Sequence, residues 1–263
     1  MCPSLQAERL QKVLAGLGLG SRREIEQWIR DGRVSVNGHV AQLGQRVGAQ
    51  DQLLVDGRSV DVTGALSQPA GARSSAVLGY HKPLGEVTTR RDPAGRPTVF
   101  DHLPPAPAGR WIVVGRLDVN TSGLLLFTND GELAHRLMHP SSEVEREYRV
   151  RVRGQPSERV LAQLQAGVML EDGWARFDRL TPEGASDGSS WFRVILHEGR
   201  NREVRRLWLA VGHEVSRLIR MRYGPVELPS DLPAGESRLL PPALVARLSE
   251  TCRVGAPLHP APT

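Results

Sequence analysis

Residues 62–76, VTGALSQPAGARSSA, interrupt the chain: they carry neither helical nor strand periodicity and are filled with small residues, Gly and Pro. Such composition makes a flexible linker rather than a packed element. The 263 residues must therefore fold as a small module and a larger domain, each with its own core. The reading is residues 1–62 as the module, 63–76 as linker, 77–250 as the main domain and 251–263 as an unpatterned tail. The longest apolar runs, such as 124–127, fall far short of the ~18 residues a spanning helix needs, and the opening MCPSLQAERL has no apolar signal core. A cytoplasmic protein without membrane attachment is expected.

In the first module Leu10, Val13, Leu14 and Leu17 follow the spacing of a helix with one buried face. A second helix follows at once, with Ser21 and Glu24 at capping-box spacing, Ile25, Trp28 and Ile29 as its apolar stripe, and Gly32 as its stop. RVSVNGHVA then reads as strand, Asn37-Gly38 turn and strand, and 53–55 as a further strand. The larger domain opens with a strand near 77–80. Strand-like RWIVVG, GLLLFTN, EYRVRVRG, WFRVILHEG and RLIRMRYG follow, with helices over 132–137, 157–164 and 201–211. Tyr148, Val150 and Val152 alternate with Arg149, Arg151 and Arg153, which implies a sheet with one buried face. The expected fold is α+β on a largely antiparallel sheet.

The formal charge of +5 and a pI near 9.8 make a polyanion a plausible partner, although 34 basic residues with only two lysines, Lys12 and Lys82, can reflect genome composition alone. Placement is more informative. Between positions 198 and 222 seven arginines face three glutamates, whereas residues 1–62 carry eight basic and seven acidic groups, so any affinity there rests on arrangement. Two cysteines near opposite ends and eight scattered histidines supply no disulfide framework and no metal-ligand spacing; His135 and His139 stand at i, i+4 without an intervening Glu. No metal site is expected from this spacing.

Three constellations could carry chemistry. GRLDVNTSGLLLFTNDGE, residues 115–132, suspends one carboxylate, Asp118, among Arg116, Asn120, Thr121 and Ser122 between two apolar strands. The same residue types also make an ordinary capped turn. EGRNREVRRLW, residues 198–208, sets Gly199 and Asn201 in a turn before a helix whose core face is Val204, Leu207 and Trp208. Its Arg200, Arg202, Arg205 and Arg206 are either a solvated charged face or guanidinium forks for phosphate. Tyr148 is either core or a platform on which a base stacks.

GRLDVNTSGLLLFTNDGELAHRLMHP, YHKPLGEVTT, EVEREYRV and EGRNREVRRL together resemble the RNA pseudouridine synthases of the RsuA family. The N-terminal unit is similar to the RNA-binding module named after ribosomal protein S4. The resemblance runs in family order over residues 5–245 and leaves out the linker and the tail. It implies a synthase domain with a mixed, mainly antiparallel sheet, a central cleft and no cofactor. It also implies that Asp118 is catalytic, that Tyr148 stacks on the target base and that Arg205 pairs with the carboxylate. Ribosomal RNA is the implied partner of a monomeric enzyme, with VEREYRVRV and EGRNREVRRLWLAVG favouring the large ribosomal subunit. Small-subunit rRNA and a catalytically silent role in ribosome assembly are the alternatives. Candidate RNA contacts are Arg9, Lys12, Arg22 and Arg23 in the module, and Lys82, Arg116, Arg200, Asn201, Arg202 and Arg206 in the larger domain.

Overall fold

The computed structural model describes residues 7–63 and 75–252, so the linker at 63–76 and the tail at 251–263 lie mostly outside the described residues. Two compact units form. One comprises Met1–Ala76 with Pro105–Ile112 and Thr128–Gly131, the other Val77–Pro104, Val113–Phe127 and Glu132–Thr263.

In the first unit β1 (Glu8–Arg9) leads into α1 (Leu10–Gly16) and α2 (Arg22–Arg30). The capping box at α2 forms as the spacing predicts: the Glu24 N–H donates to the Ser21 hydroxyl at 3.1 Å, and the Ser21 N–H donates to the Glu24 carboxylate at 2.7 Å. Such a cap contributes about 1 kcal/mol. Strands β2 (Val34–Val36), β3 (His39–Val40), β4 (Arg46–Val47), β5 (Leu53–Val55) and β6 (Arg58–Val60) follow, and the sheet order is β3-β2-β5-β6, with β1 and β4 paired separately. Asn37 and Gly38 adopt φ of 53° and 82°, as a two-residue hairpin turn requires. Asp56 and Gly57, at 49° and 77°, make a second such hairpin that the sequence reading passed over. Leu10, Leu14, Ile25, Val34, Val47 and Leu53 are the sealed centre of this core. Each such side chain contributes roughly 1.5–3 kcal/mol by leaving water. The 105–112 segment belongs here: a Cβ on Gly109 would meet the Gly16 carbonyl oxygen at 2.9 Å, at the end of α1.

The second unit is built on β7 (Val77–Lys82), β8 (Ile112–Val114), β9 (Ser122–Thr128), α3 (Gly131–Met138), β10 (Arg146–Arg153) and α4 (Glu158–Ala166). It continues with β11 (Val168–Leu170), β12 (Gly173–Ala175), β13 (Arg179–Ser186), β14 (Ser189–Leu196) and α5 (Glu203–Ala210). The last elements are β15 (Val215–Tyr223), β16 (Val226–Glu227), β17 (Ser237–Leu239) and α6 (Pro242–Thr251). Among the described residues the main sheet has nine strands in the order β13-β14-β10-β15-β9-β7-β17, with β16 on β15 and β8 on β9. Strand β10 runs antiparallel to β14 and β15, whereas β9 and β15 are parallel. Every residue of β9 is buried, which explains why its sequence is a continuous apolar run instead of an alternation. In β10 the alternation holds, with Val150 and Val152 fully buried. Helix α5 begins two residues later than expected, because Asn201 lies in a turn and Arg202 takes a left-handed φ of 50°. Trp208 anchors α5 on the sheet, its ring centroid 4.9 Å from that of Phe192.

Candidate active site

Asp118 stands in the loop joining β8 to β9. The Thr121 N–H donates to the Asp118 carbonyl at 3.0 Å, so the backbone does make the turn that Asp, Asn and Thr favour. The carboxylate itself is one-third exposed and faces an open cleft of about 2140 Å³. Tyr148, Arg202, Arg220 and Tyr223 line the same cleft. The loop is pinned from beneath: the Thr88 hydroxyl donates to the Leu117 carbonyl at 2.8 Å, and the Lys82 ammonium donates to the carbonyls of Pro83 and Thr121, each at 2.9 Å.

Lys82 corrects the sequence reading. It is fully buried, so it cannot touch a phosphate from the surface, and its two carbonyl bonds hold it inside the domain. Burial pushes its ammonium down to about 8, against the opposing charges of Glu86 and Asp118. Close by, the Tyr80 hydroxyl donates to both oxygens of buried Glu86 at 2.9 and 2.8 Å, and burial raises the phenol.

Arg205 also departs from expectation. Its terminal nitrogens donate to backbone carbonyls, Nη1 to Val215 at 2.8 Å and Nη2 to Asn120 at 2.7 Å. It therefore ties α5 and β15 to the Asp118 loop, and the side chain paired with the carboxylate is Arg202, with Nη1 3.5 Å from Asp118 Oδ2. Burial lowers Arg205, the charge of Arg202 adds to that, and Asp118 and Glu214 oppose it. The reason is local geometry: the left-handed Arg202 ends the turn in a conformation that non-glycine residues rarely adopt, and its side chain reaches across the cleft.

Of the remaining candidates, Arg116 and Asn201 are exposed on the cleft wall. Arg200 and Arg206 are already committed to acids: Arg206 grips Asp172 with both terminal nitrogens at 2.8 Å, and Arg200 pairs with Glu198. These two build the wall more than they offer free charge. In the first unit Arg9, Arg22 and Arg23 are exposed, and Lys12 pairs with Glu8 at 2.5 Å.

Tyr148 is 8% exposed and opposes Arg220 of β15 across the sheet. The sequence reading placed no site residue at Arg146, Arg220 or Tyr223, yet all three line the cleft. The guanidinium carbons of Arg146 and Arg220 lie 5.3 and 5.2 Å from the centroid of the Tyr223 ring, and the Tyr223 hydroxyl donates to the Leu137 carbonyl at 2.7 Å. Arg146 also donates to the His197 carbonyl. Among the described residues no three of His, Cys, Asp or Glu gather as metal ligands, and no helix is long and apolar enough to cross a membrane.

Residues 76–210 match the family model described as RNA pseudouridylate synthase, and residues 8–53 match that of the S4 domain. The chain is 56% identical over 251 residues to the ribosomal large subunit pseudouridine synthase B of Xylella fastidiosa, covering 94% of this chain and 51% of that protein. Identity to the protein of the same name from Pseudomonas aeruginosa is 54%, over 92% of this chain and 62% of that one. For the Salmonella typhi protein of that name it is 58%, over 87% and 78%. The chain thus spans about half the length of the Xylella relative it matches. A crystal structure of a pseudouridylate synthase superposes with a TM-score of 0.61 at 26% identity, covering 91% of this chain and 99% of that chain.

Proposed function

The chain belongs to the RNA pseudouridylate synthase family, and from that premise we propose that it isomerises uridine to pseudouridine at a specific site in large-subunit ribosomal RNA. The observation that carries the reading is a single one-third-exposed carboxylate, Asp118, pinned at the end of a buried strand and facing a cleft shared with Tyr148. Isomerisation needs little more from a protein: the bond from uracil N1 to the ribose must break, the base must turn while it stays bound, and its C5 must join the same carbon. One carboxylate suffices, either by adding to the ribose C1′ or by taking the neighbouring C2′ proton to give a glycal.

Each neighbour has a part in this proposal. Arg202 meets the Asp118 carboxylate from solvent, while Arg205 and Lys82 hold the backbone just after it, at Asn120 and Thr121. The target uridine, shielded when stacked, has to be flipped out at a cost of about a few kcal/mol. Stacking on Tyr148 offsets part of that, at ~1–3 kcal/mol per base. The S4 domain and the exposed arginines of the cleft wall supply phosphate contacts that fix register on the RNA. Such an enzyme acts as a monomer and without a cofactor, where ribosomes are assembled in the cytoplasm.

The test is chemical mapping of pseudouridine in ribosomal RNA from cells with and without the protein, repeated on transcribed RNA with the purified chain. One large-subunit uridine should lose its modification and regain it in vitro. Loss confined to small-subunit RNA would move the substrate, and no change at any uridine would leave an RNA-binding protein without this activity.

A further inference from the structure

Of the seven arginines between positions 198 and 222, Arg220 alone is buried, at 2% exposure. Three of the others have acids: Arg222 pairs with Glu145 and Glu147, Arg206 with Asp172 and Arg200 with Glu198. Arg220 instead donates from Nε to the Leu124 carbonyl at 2.7 Å and lies over the Tyr223 ring, while its buried Nη2 has no partner among the described residues. A desolvated guanidinium costs several kcal/mol unless an anion and full hydrogen bonding compensate. An unpaired one at the floor of a cleft is matched to a charge that arrives with a ligand.

The sheet register says which part of the ligand. Arg220 is paired with Tyr148 of β10 on one side and with Gly123 of β9, directly beyond the Asp118 loop, on the other. It therefore lies between Tyr148 and the loop that carries the Asp118 carboxylate, on the floor of the cleft that both line. We infer that Arg220 is a catalytic residue for the base itself: its terminal N–H groups donate to a carbonyl oxygen of the target uracil, stabilise the charge that develops on the base, and retain it while it turns.

The inference deepens the proposed isomerisation and rests on it. When the N1–C1′ bond breaks, its electron pair stays on the uracil, which becomes an anion with charge spread over N1 and both carbonyl oxygens. The deficit at C1′ is met either by a bond from the Asp118 carboxylate or by loss of the C2′ proton to it, forming a C1′–C2′ double bond. C5 of the anion then bonds to C1′. The carboxylate leaves in the first route, and C2′ recovers its proton in the second. Loss of the C5 proton and protonation at N1 complete the isomer. In both routes the anion exists between the two bonds, and a fixed cation in a desolvated site serves it far better than water.

The experiment compares the full chain with Arg220→Gln and Arg220→Lys, in single turnover at saturating RNA that carries either uridine or 5-fluorouridine at the target, and reads the transfer of C1′ from N1 to C5, the step both substrates reach, since fluorine leaves no C5 proton to lose afterwards. Fluorine at C5 makes the uracil anion more stable, so its departure needs less help. Expected is a loss of about 100-fold for Arg220→Gln on uridine, at least tenfold smaller on 5-fluorouridine, with RNA affinity within threefold and partial recovery in Arg220→Lys. Equal losses on the two substrates would make Arg220 a structural residue and overturn the inference. A crystal structure of the unaltered chain with 5-fluorouridine RNA tests it independently of how the variants fold. A carbonyl oxygen of the base should lie within hydrogen-bond distance of an Arg220 terminal nitrogen, and both oxygens beyond about 4 Å would overturn it. If the unaltered chain makes no pseudouridine at all, the proposed function has failed rather than this residue's role.

Discussion

Asp118→Asn preserves the shape and the backbone turn at the cleft but removes both charge and basicity. Turnover should fall by at least about a thousandfold while the melting temperature and RNA affinity stay near those of the parent; single-turnover assays and filter binding check both. Lys82 extends the argument to pH. Its ammonium, held near 8 by burial, adds positive charge beside Asp118 only below that value. The rate should therefore decline as pH rises through about 8, and Lys82→Met should lose that basic limb along with plateau activity, measured by single-turnover rates between pH 6 and 9.5. The sign for stability is opposite. The unfolded lysine titrates near 10.5 and the folded one near 8, so between those values the unfolded state binds the extra proton, and this group makes the fold more stable as pH rises. Motif resemblance draws attention to Asp118 and Tyr148, which both line the cleft, but Lys82 is misjudged as a surface contact, because a residue type announces charge and not depth. Arg220 was hidden for a different reason. The β10–β15 register skips Met221 between Arg222, opposite Glu147, and Arg220, opposite Tyr148. A strict two-residue period would give Arg220 and Arg222 a common environment, whereas the bulge leaves Arg220 on the cleft floor and Arg222 among carboxylates.

The parallel pairing of β9 with β15 is the feature on which the cleft depends, and Gly123 permits it. With φ of 106°, a Cβ built there would lie 2.3 Å from the Arg220 carbonyl oxygen and 2.5 Å from its nitrogen, and backbone on both sides leaves nothing that can swing away. Gly123→Ala should destabilise the protein by roughly 3 kcal/mol or more and displace Arg220 from the Asp118 loop. A lowered urea midpoint with activity lost even well below that midpoint is the expected result. A midpoint within experimental scatter of the parent would mean that the two strands separate easily. At this scale the sequence was legible wherever a period was clean. The capping box at Ser21, the Asn37-Gly38 hairpin, the apolar run of β9 and the alternation of β10 all appear as read. Short or solvent-facing elements were not legible. β11 and β12 have three residues each, and β13 is exposed along most of its length, so neither pattern rises above that of a loop.

At the scale of the whole molecule, the S4 domain is nearly neutral, so if it binds RNA as proposed, the way its charge is displayed must make up for how little there is. Arg22 and Arg23 occupy the first turn of α2, directly after the Ser21 cap, and both are exposed. Positive charge at a helix N-terminus opposes the helix dipole and costs the helix a few tenths of a kcal/mol or more per residue. If these arginines serve only as surface charge, their removal is neutral or stabilising and has no other effect. If they bind phosphate, stability and RNA affinity must move in opposite directions. The full chain with Arg22→Gln and Arg23→Gln together should therefore melt at the same temperature or slightly higher, yet bind ribosomal RNA more weakly. Its salt dependence should be shallower by about 0.7 log units per log unit of salt for each single-strand phosphate no longer neutralised, or nearer 0.9 on duplex. The apparent Michaelis constant should rise while the rate at saturating RNA is kept, because Asp118 and Tyr148 belong to the other compact unit. Binding isotherms at several salt concentrations, with a thermal melt of the same preparation, decide the matter. An unchanged slope would remove α2 from the RNA interface, and a lower rate at saturation would mean that these arginines act in the chemical step.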